Sequence, residues 1–320
     1  MKCKICWSDF PNANILNLHH CMPMNGEEHD SGMKFKAGEN GIQYPSPDSN
    51  FYMRKRQIRA TVSLLRLAET KPINVLLTGE TGTGKTSFTQ HLAGLTRRPY
   101  FLVNCGIMQE PQEWFGQMLF EPSRGTYYQV SEFVRALGTE NCIICIDELN
   151  RSENPKVTNA LMELLGETRT TWVDVIRMRF NVAHGVIFMA TINEGSAYTG
   201  VDPLDIAMRG RFHVIPMSYP TRNAMVRILV AKAGLDEARA EKLMDVVGKG
   251  LTTEQLPTRA LIVTAEHIVG GLTYEESLKL GFYGMLKTDS MRQLLQAAQL
   301  VLNERIPEDL EEEVCWTSLN

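Results

Sequence analysis

At 320 residues the chain is too long for one small domain, and a composition of 43% hydrophobic and 22% charged residues is that of a soluble globular protein. Its apolar runs are short, which excludes a membrane-spanning segment, and the polar start MKCKICW excludes a secretory signal. A net charge of -4 argues against dominant, unspecific nucleic-acid binding, and seven cysteines, three of them crowded near one end, point to a reducing, cytoplasmic setting with a metal site and not to a disulfide framework.

The first stretch, CKICWSDFPNANILNLHHC, places Cys3, Cys6, Phe10, Leu16 and His19 on the spacing C-x2-C-x3-F-x5-L-x2-H. That spacing resembles the Cys-Cys-His-His zinc finger. Two thiolates and an imidazole make three corners of a tetrahedron, and Phe10 and Leu16 supply a small apolar core. A unit this short is expected to take its folding energy from zinc. The fourth corner departs from the pattern: His29, reached by a loop, is preferred, and Cys21 is the alternative. The segment NANILNLHH lacks arginine and lysine, so protein docking or a structural role is expected of it before DNA reading. Residues 1–30 are read as this unit. Residues 31–47, rich in glycine, proline and small polar residues, are read as a linker with a short strand pair.

A helix is predicted from an Asp48/Ser49 cap, with Ile58, Val62, Leu65 and Ala68 on its apolar face. Arg54, Lys55, Arg56 and Arg59 make it basic, which is read first as a solvated face and second as a nucleic-acid contact.

The apolar run INVLLT then reads as a buried parallel strand. Directly after it, Gly79, Glu80, Thr81, Gly82, Thr83, Gly84, Lys85 and Thr86 fit G-x-x-x-x-G-K-[ST], and a helical pattern follows through Ser87. Glycines let backbone N–H groups turn inward as a nest for anions, and the helix N-terminus adds partial positive charge. These residues are expected to hold the phosphates of ATP, with Lys85 on the β- and γ-phosphates and Thr86 on magnesium.

NCIICIDELNR supplies a second strand ending in carboxylates. Asp147 is expected to hold magnesium through water, and Glu148 to polarise the attacking water. Cys142 and Cys145 have zinc-like spacing, but in a strand they point to opposite faces and are read as core.

Further along, GVIFMATINEG is another buried strand, ending in Thr191 and Asn193. LDIAMRGRFHVIPMSYP carries Arg209 and Arg211 before one more strand, and LPTRALIVTAEHI puts Arg259 at a helix start. With GETGTGKT and IDELNR, these stretches resemble the AAA+ ATPase superfamily over about residues 48–300, and within it the MoxR branch. That branch includes the cobaltochelatase ATPase subunit and the nitric-oxide-reductase and Rubisco activators.

The resemblance implies an α/β phosphate-loop core with a parallel sheet flanked by helices over residues 48–220, then an all-α lid over 221–302. It also implies roles: Asn193 as the sensor 1 residue, Arg211 as an arginine finger offered to a neighbouring subunit with Arg209 as second candidate, and Arg259 as the sensor 2 arginine. Two inserts, near EPSRGTYYQV and TRTTWVDVIRMRFNV, match hairpins that face the pore in that branch, so Tyr127 and Tyr128 are read either as touching a partner or as ordinary loop packing. Residues 303–320 form an acidic tail.

The resemblance further implies a ring, a hexamer, and a protein client, with a von Willebrand A domain protein as one candidate. The first expectation is an ATP-driven motor that remodels or activates a protein. A nucleic-acid-directed ATPase of a phage or restriction-like system is the second, and a nucleotide-gated scaffold with little turnover the third.

Overall fold

The computed structural model describes residues 36–37 (backbone only), 41–123, 125–152, 154–174, 177–194, 204–251 and 257–302. The zinc-finger-like residues Cys3, Cys6, His19, Cys21 and His29, and the acidic tail, lie outside the described residues. The chain divides into two units, Met1–Ser218 and Tyr219–Asn320. No helix among the described residues is long and apolar enough to cross a membrane.

In the first unit, β1 (Lys36–Ala37) pairs antiparallel with β2 (Gln43–Tyr44). α1 covers Lys55–Ala68, starting later than the Asp48/Ser49 cap predicts. The reason is local. Asp48 Oδ1 is taken by the Asn50 N–H at 2.9 Å, whereas Gln57 Oε1 reaches back to the Arg54 N–H at 3.0 Å and caps the helix there. The buried face also differs, because Ile58 is exposed while Gln57 and Thr61 are buried. Both polar side chains are satisfied: Gln57 Nε2 donates to the Pro216 carbonyl at 2.9 Å, and the Thr61 hydroxyl to the Gln57 carbonyl at 2.9 Å. Arg54, Lys55, Arg56 and Arg59 are exposed.

β3 (Asn74–Gly79) leads through the glycine loop into α2 (Lys85–Thr96), and β4 (Tyr100–Asn104) follows. β5 (Gly116–Glu121) and β6 (Gly125–Val130) form an antiparallel hairpin ahead of α3 (Glu132–Leu137). Then come β7 (Ile143–Asp147), α4 (Pro155–Asn159), a second hairpin of β8 (Thr170–Val173) and β9 (Met178–Asn181), β10 (Ile187–Asn193), α5 (Ile206–Arg209) and β11 (His213–Pro216).

The main sheet runs β1-β2-β4-β7-β10-β3-β11. From β4 to β11 every pairing is parallel, so the C-terminal ends of β3, β7 and β10 lie along one edge. Alternate residues of these strands enter two separate clusters. Leu76, Ile144, Ile146 and Phe188 join one, and Val75, Leu77, Ile143 and Met189 the other. A sheet buried on both faces needs this near-continuous apolar sequence, and each such side chain contributes ~1.5–3 kcal/mol of burial. Cys142 and Cys145 divide between the same two clusters. Burial pushes both thiols up to about 12, which suits packing and not metal ligation.

The second unit is helical: α6 (Arg222–Ala233), α7 (Glu237–Gly250), α8 (Thr258–Val269), α9 (Tyr274–Phe282) and α10 (Thr288–Leu302). Leu229, Leu243, Val247, Leu261, Phe282 and Leu294 form its core. Thr221, Asp236 and Thr273 start α6, α7 and α9 by accepting first-turn N–H groups.

Candidate functional site

The glycine loop leaves β3 in a conformation that only glycine tolerates well. Gly79 has φ 147°, and a Cβ there would fall 2.3 Å from the Met217 carbonyl oxygen. Gly84, with φ 85°, stands before the first turn of α2. Lys85 follows and is buried. Its ammonium donates to the carbonyls of Gly79 at 2.9 Å and Glu80 at 2.8 Å, and to Asn193 Oδ1 at 2.9 Å. Burial holds the ammonium down at about 8, against the opposing pull of the Asp147, Glu148 and Glu80 carboxylates. Thr83 closes the loop by donating to the Glu80 carbonyl at 2.8 Å. Glu80, Thr81 and Gly82 complete the turn, and Ser87 lies in the first turn of α2. The Phe51 ring stacks 6.1 Å from Phe88 and 4.8 Å from His91, close beside Gly84.

On the neighbouring strand ends, Thr86 Oγ1 donates to Asp147 Oδ1 at 2.7 Å. Thr191 Oγ1 donates to the same oxygen at 2.6 Å. Glu148 leaves β7 with φ 55° and ψ 42° and gives its N–H to Thr191 Oγ1 at 3.0 Å. Its carboxylate pairs with Arg151 at 3.3 Å. Asn150 is buried beneath and donates to the Asn193 carbonyl at 3.1 Å.

Thus Lys85 is bonded to Asn193 and Thr86 to Asp147, two pairs held side by side because Lys85 and Thr86 are consecutive in α2, and Glu148 joins the second pair through its backbone N–H and Thr191. The side chains of Arg209 and Arg211 make their hydrogen bonds to other residues. Arg209 pairs with Glu194 at 2.7 Å, both about two-fifths exposed, a solvent-screened pair worth about 0–1 kcal/mol. Arg211 donates to the Ala207 carbonyl at 2.5 Å, and its own carbonyl accepts from the Asn74 side chain at 2.9 Å. Arg259 belongs to the second unit, at the start of α8.

Thr191, Asn150 and Arg151 take part in the site although sequence reasoning gave them no role. Thr191 was visible only as a strand end, and Asn150 and Arg151 only as the close of IDELNR. No spacing rule brings a buried threonine hydroxyl onto a carboxylate of another strand; the parallel register of β7 and β10 does.

An oxygen donor set of one hydroxyl and one carboxylate at a glycine loop suits a hard divalent cation beside phosphates. Among the described residues no cluster of histidine, cysteine and carboxylate side chains forms a further metal centre.

Residues 74–212 match the AAA domain family of the dynein-related subfamily. Over 275 residues the chain is 31% identical to the putative chaperone BssE of Thauera aromatica, covering 85% of this chain and 93% of that protein. It is 26% identical to protein NorQ of Paracoccus denitrificans, over 76% of this chain and 90% of NorQ. It is 27% identical to the denitrification regulatory protein NirQ of Stutzerimonas stutzeri, over 73% of this chain and 86% of NirQ.

Proposed function

Because the chain belongs to the MoxR branch of the AAA+ ATPases, we propose that it hydrolyses ATP at the Lys85–Asp147–Asn193 cluster and uses the turnover to remodel or activate a protein partner. The observation that carries the reading is the convergence of the loop lysine, the Thr86–Asp147 pair and the Asn193 amide at the ends of three adjacent parallel strands. Binding alone needs no water-polarising carboxylate, and Glu148, held beside that cluster by its N–H on Thr191, is the one this reading assigns.

In this reading Lys85 and the loop N–H groups hold the triphosphate, and Asn193 moves from Lys85 to the attacking water. The water oxygen attacks the γ-phosphorus, the bond to the β-bridging oxygen breaks, and Glu148 takes the proton the water loses. The products are ADP and phosphate. Thr86 and Asp147 would hold magnesium, which when bound offsets negative charge on the phosphates. Charge on the transferring group calls for a guanidinium, and Arg211, with Arg209 as second candidate, serves best if supplied by a neighbouring copy in a ring. Arg259, the sensor 2 candidate, is proposed as a further nucleotide-binding residue.

A protein client is supported by the relatives: BssE is named a putative chaperone and NirQ a regulatory protein. It is also supported by large apolar side chains left in water on the two hairpins, Met118 and Phe120 on β5 and Trp172 on β8.

Glu148→Gln tests the chemical half of the reading. It should keep ATP binding and stop phosphate release, while Lys85→Ala should lose both. Normal turnover in Glu148→Gln contradicts the role given to Glu148.

A further inference from the structure

Thr191 carries more of the site than its place at a strand end suggests. It is buried, two residues before Asn193, and therefore on the same face of β10. The ladder between β7 and β10 runs from Ile143 opposite Ile187 to Ile146 opposite Ala190 and goes no further. One step on, Thr191 replaces the ladder with its side chain. Its hydroxyl donates to Asp147 Oδ1 at 2.6 Å and accepts the Glu148 N–H at 3.0 Å.

That second bond matters because of the backbone it holds. Glu148 sits at φ 55° and ψ 42°, a left-handed conformation that costs a non-glycine residue ~1–2 kcal/mol. Such a turn persists only when its surroundings fix it. The Glu148 N–H finds a side-chain hydroxyl there in place of a strand carbonyl, and the turn carries the carboxylate out of the sheet. A hydroxyl can donate and accept at once, which no apolar side chain of the same shape can do. The oxygen that Thr191 grips on Asp147 is also the one that Thr86 grips at 2.7 Å. One buried hydroxyl thus ties the metal-side carboxylate to the residue that bears the base.

We propose that Thr191 is a positioning residue that sets the Glu148 carboxylate relative to Asp147. The assignment rests on the reading that this site hydrolyses ATP. Thr191 touches neither nucleotide nor water in this scheme. It acts through Glu148, where a displacement of about 1 Å is enough to cost ~100-fold in rate.

The test compares the full chain with Thr191→Val, which keeps the shape and loses both hydrogen bonds, and Thr191→Ser, which keeps the hydroxyl. Two readouts are taken: kcat and KM for ATP, and hydrogen exchange of the Glu148 amide. Thr191→Val is expected to lower kcat by ~10–100-fold with KM within about threefold of the parent, and to speed exchange of that amide by at least about tenfold. Thr191→Ser is expected to stay within about threefold of the parent in both. If Thr191→Val does not fold, Thr191→Ala carries the same comparison, since it also removes the hydroxyl. A valine variant within about twofold of the parent in kcat overturns the assignment, as does a loss of rate matched by loss of nucleotide binding. Equal amide exchange in parent and valine variant overturns it whatever the turnover. A parent that protects the amide, loses that protection in the valine variant and never hydrolyses ATP sinks the hydrolysis reading and leaves the tie between Asp147 and Glu148 standing.

Discussion

Lys85 Nζ lies 2.9 Å from Asn193 Oδ1, so the loop's cation and the end of β10 are joined by a charge-assisted hydrogen bond. Such a bond contributes ~1.5–3 kcal/mol, enough to order both side chains and weak enough for phosphate oxygens to displace. Asn193→Ala should therefore bind ATP within about tenfold of the parent yet lose ~100-fold in turnover, as oxyanion-type donors do. Titration with a fluorescent ATP analogue and a phosphate-release assay separate the two effects. Unchanged turnover contradicts the role given to Asn193.

The Lys85 ammonium gives a pH dependence. Its value in the folded chain, about 8, lies below its ordinary 10.5, chiefly through burial. The free chain bears the cost of the buried charge in full below about pH 8, and that cost is lost as pH rises from about 8 to 10.5. Lys85 alone thus makes the free chain more stable across that window. Phosphates favour the charged form, so ATP binding takes up a proton above about pH 8, and affinity should fall by at most about tenfold per pH unit there. An affinity flat through that range contradicts the assignment of Lys85 to the phosphates.

Arg211 is proposed to act on a neighbour. Arg211→Ala should bind ATP almost normally and lose hydrolysis. Mixed with Lys85→Ala subunits, it should recover part of the turnover, because some interfaces then join an intact pocket to an intact guanidinium. No recovery over a range of mixing ratios counts against action in trans.

Asn74 links the base of β3 to the Arg211 segment. It is buried, and its amide nitrogen donates to the carbonyls of Leu165 at 2.8 Å and Arg211 at 2.9 Å. Asn74→Ala strips both carbonyls of that donor and should destabilise the chain by ~1–3 kcal/mol in urea unfolding. A change below about 0.5 kcal/mol, the size of an ordinary surface substitution, contradicts the account.

The strand, glycine loop and helix were legible in the sequence because their residues are contiguous. The strand before Gly79 and the helix after Gly84 are written in apolar period and glycine placement. The two-faced burial of the sheet was legible for the same reason, down to Cys142 and Cys145 entering opposite clusters. The start of α1 was not. Gln57 is an ordinary polar residue in the sequence; its cap on the Arg54 N–H is local, but its burial is set by β11, which places the Pro216 carbonyl beside it. Thr191 was hidden likewise, since its partners lie 43 and 44 residues away and meet it only through strand register.

The central claim is turnover completed by assembly, and the most direct measurement is phosphate release against chain concentration, with mass followed in the same samples, with and without single- and double-stranded DNA. The account predicts that turnover per chain rises as the ring assembles, is unmoved by DNA, and disappears in Glu148→Gln rings of the same mass. Turnover per chain that is constant from monomer to ring, or that needs nucleic acid, would contradict it.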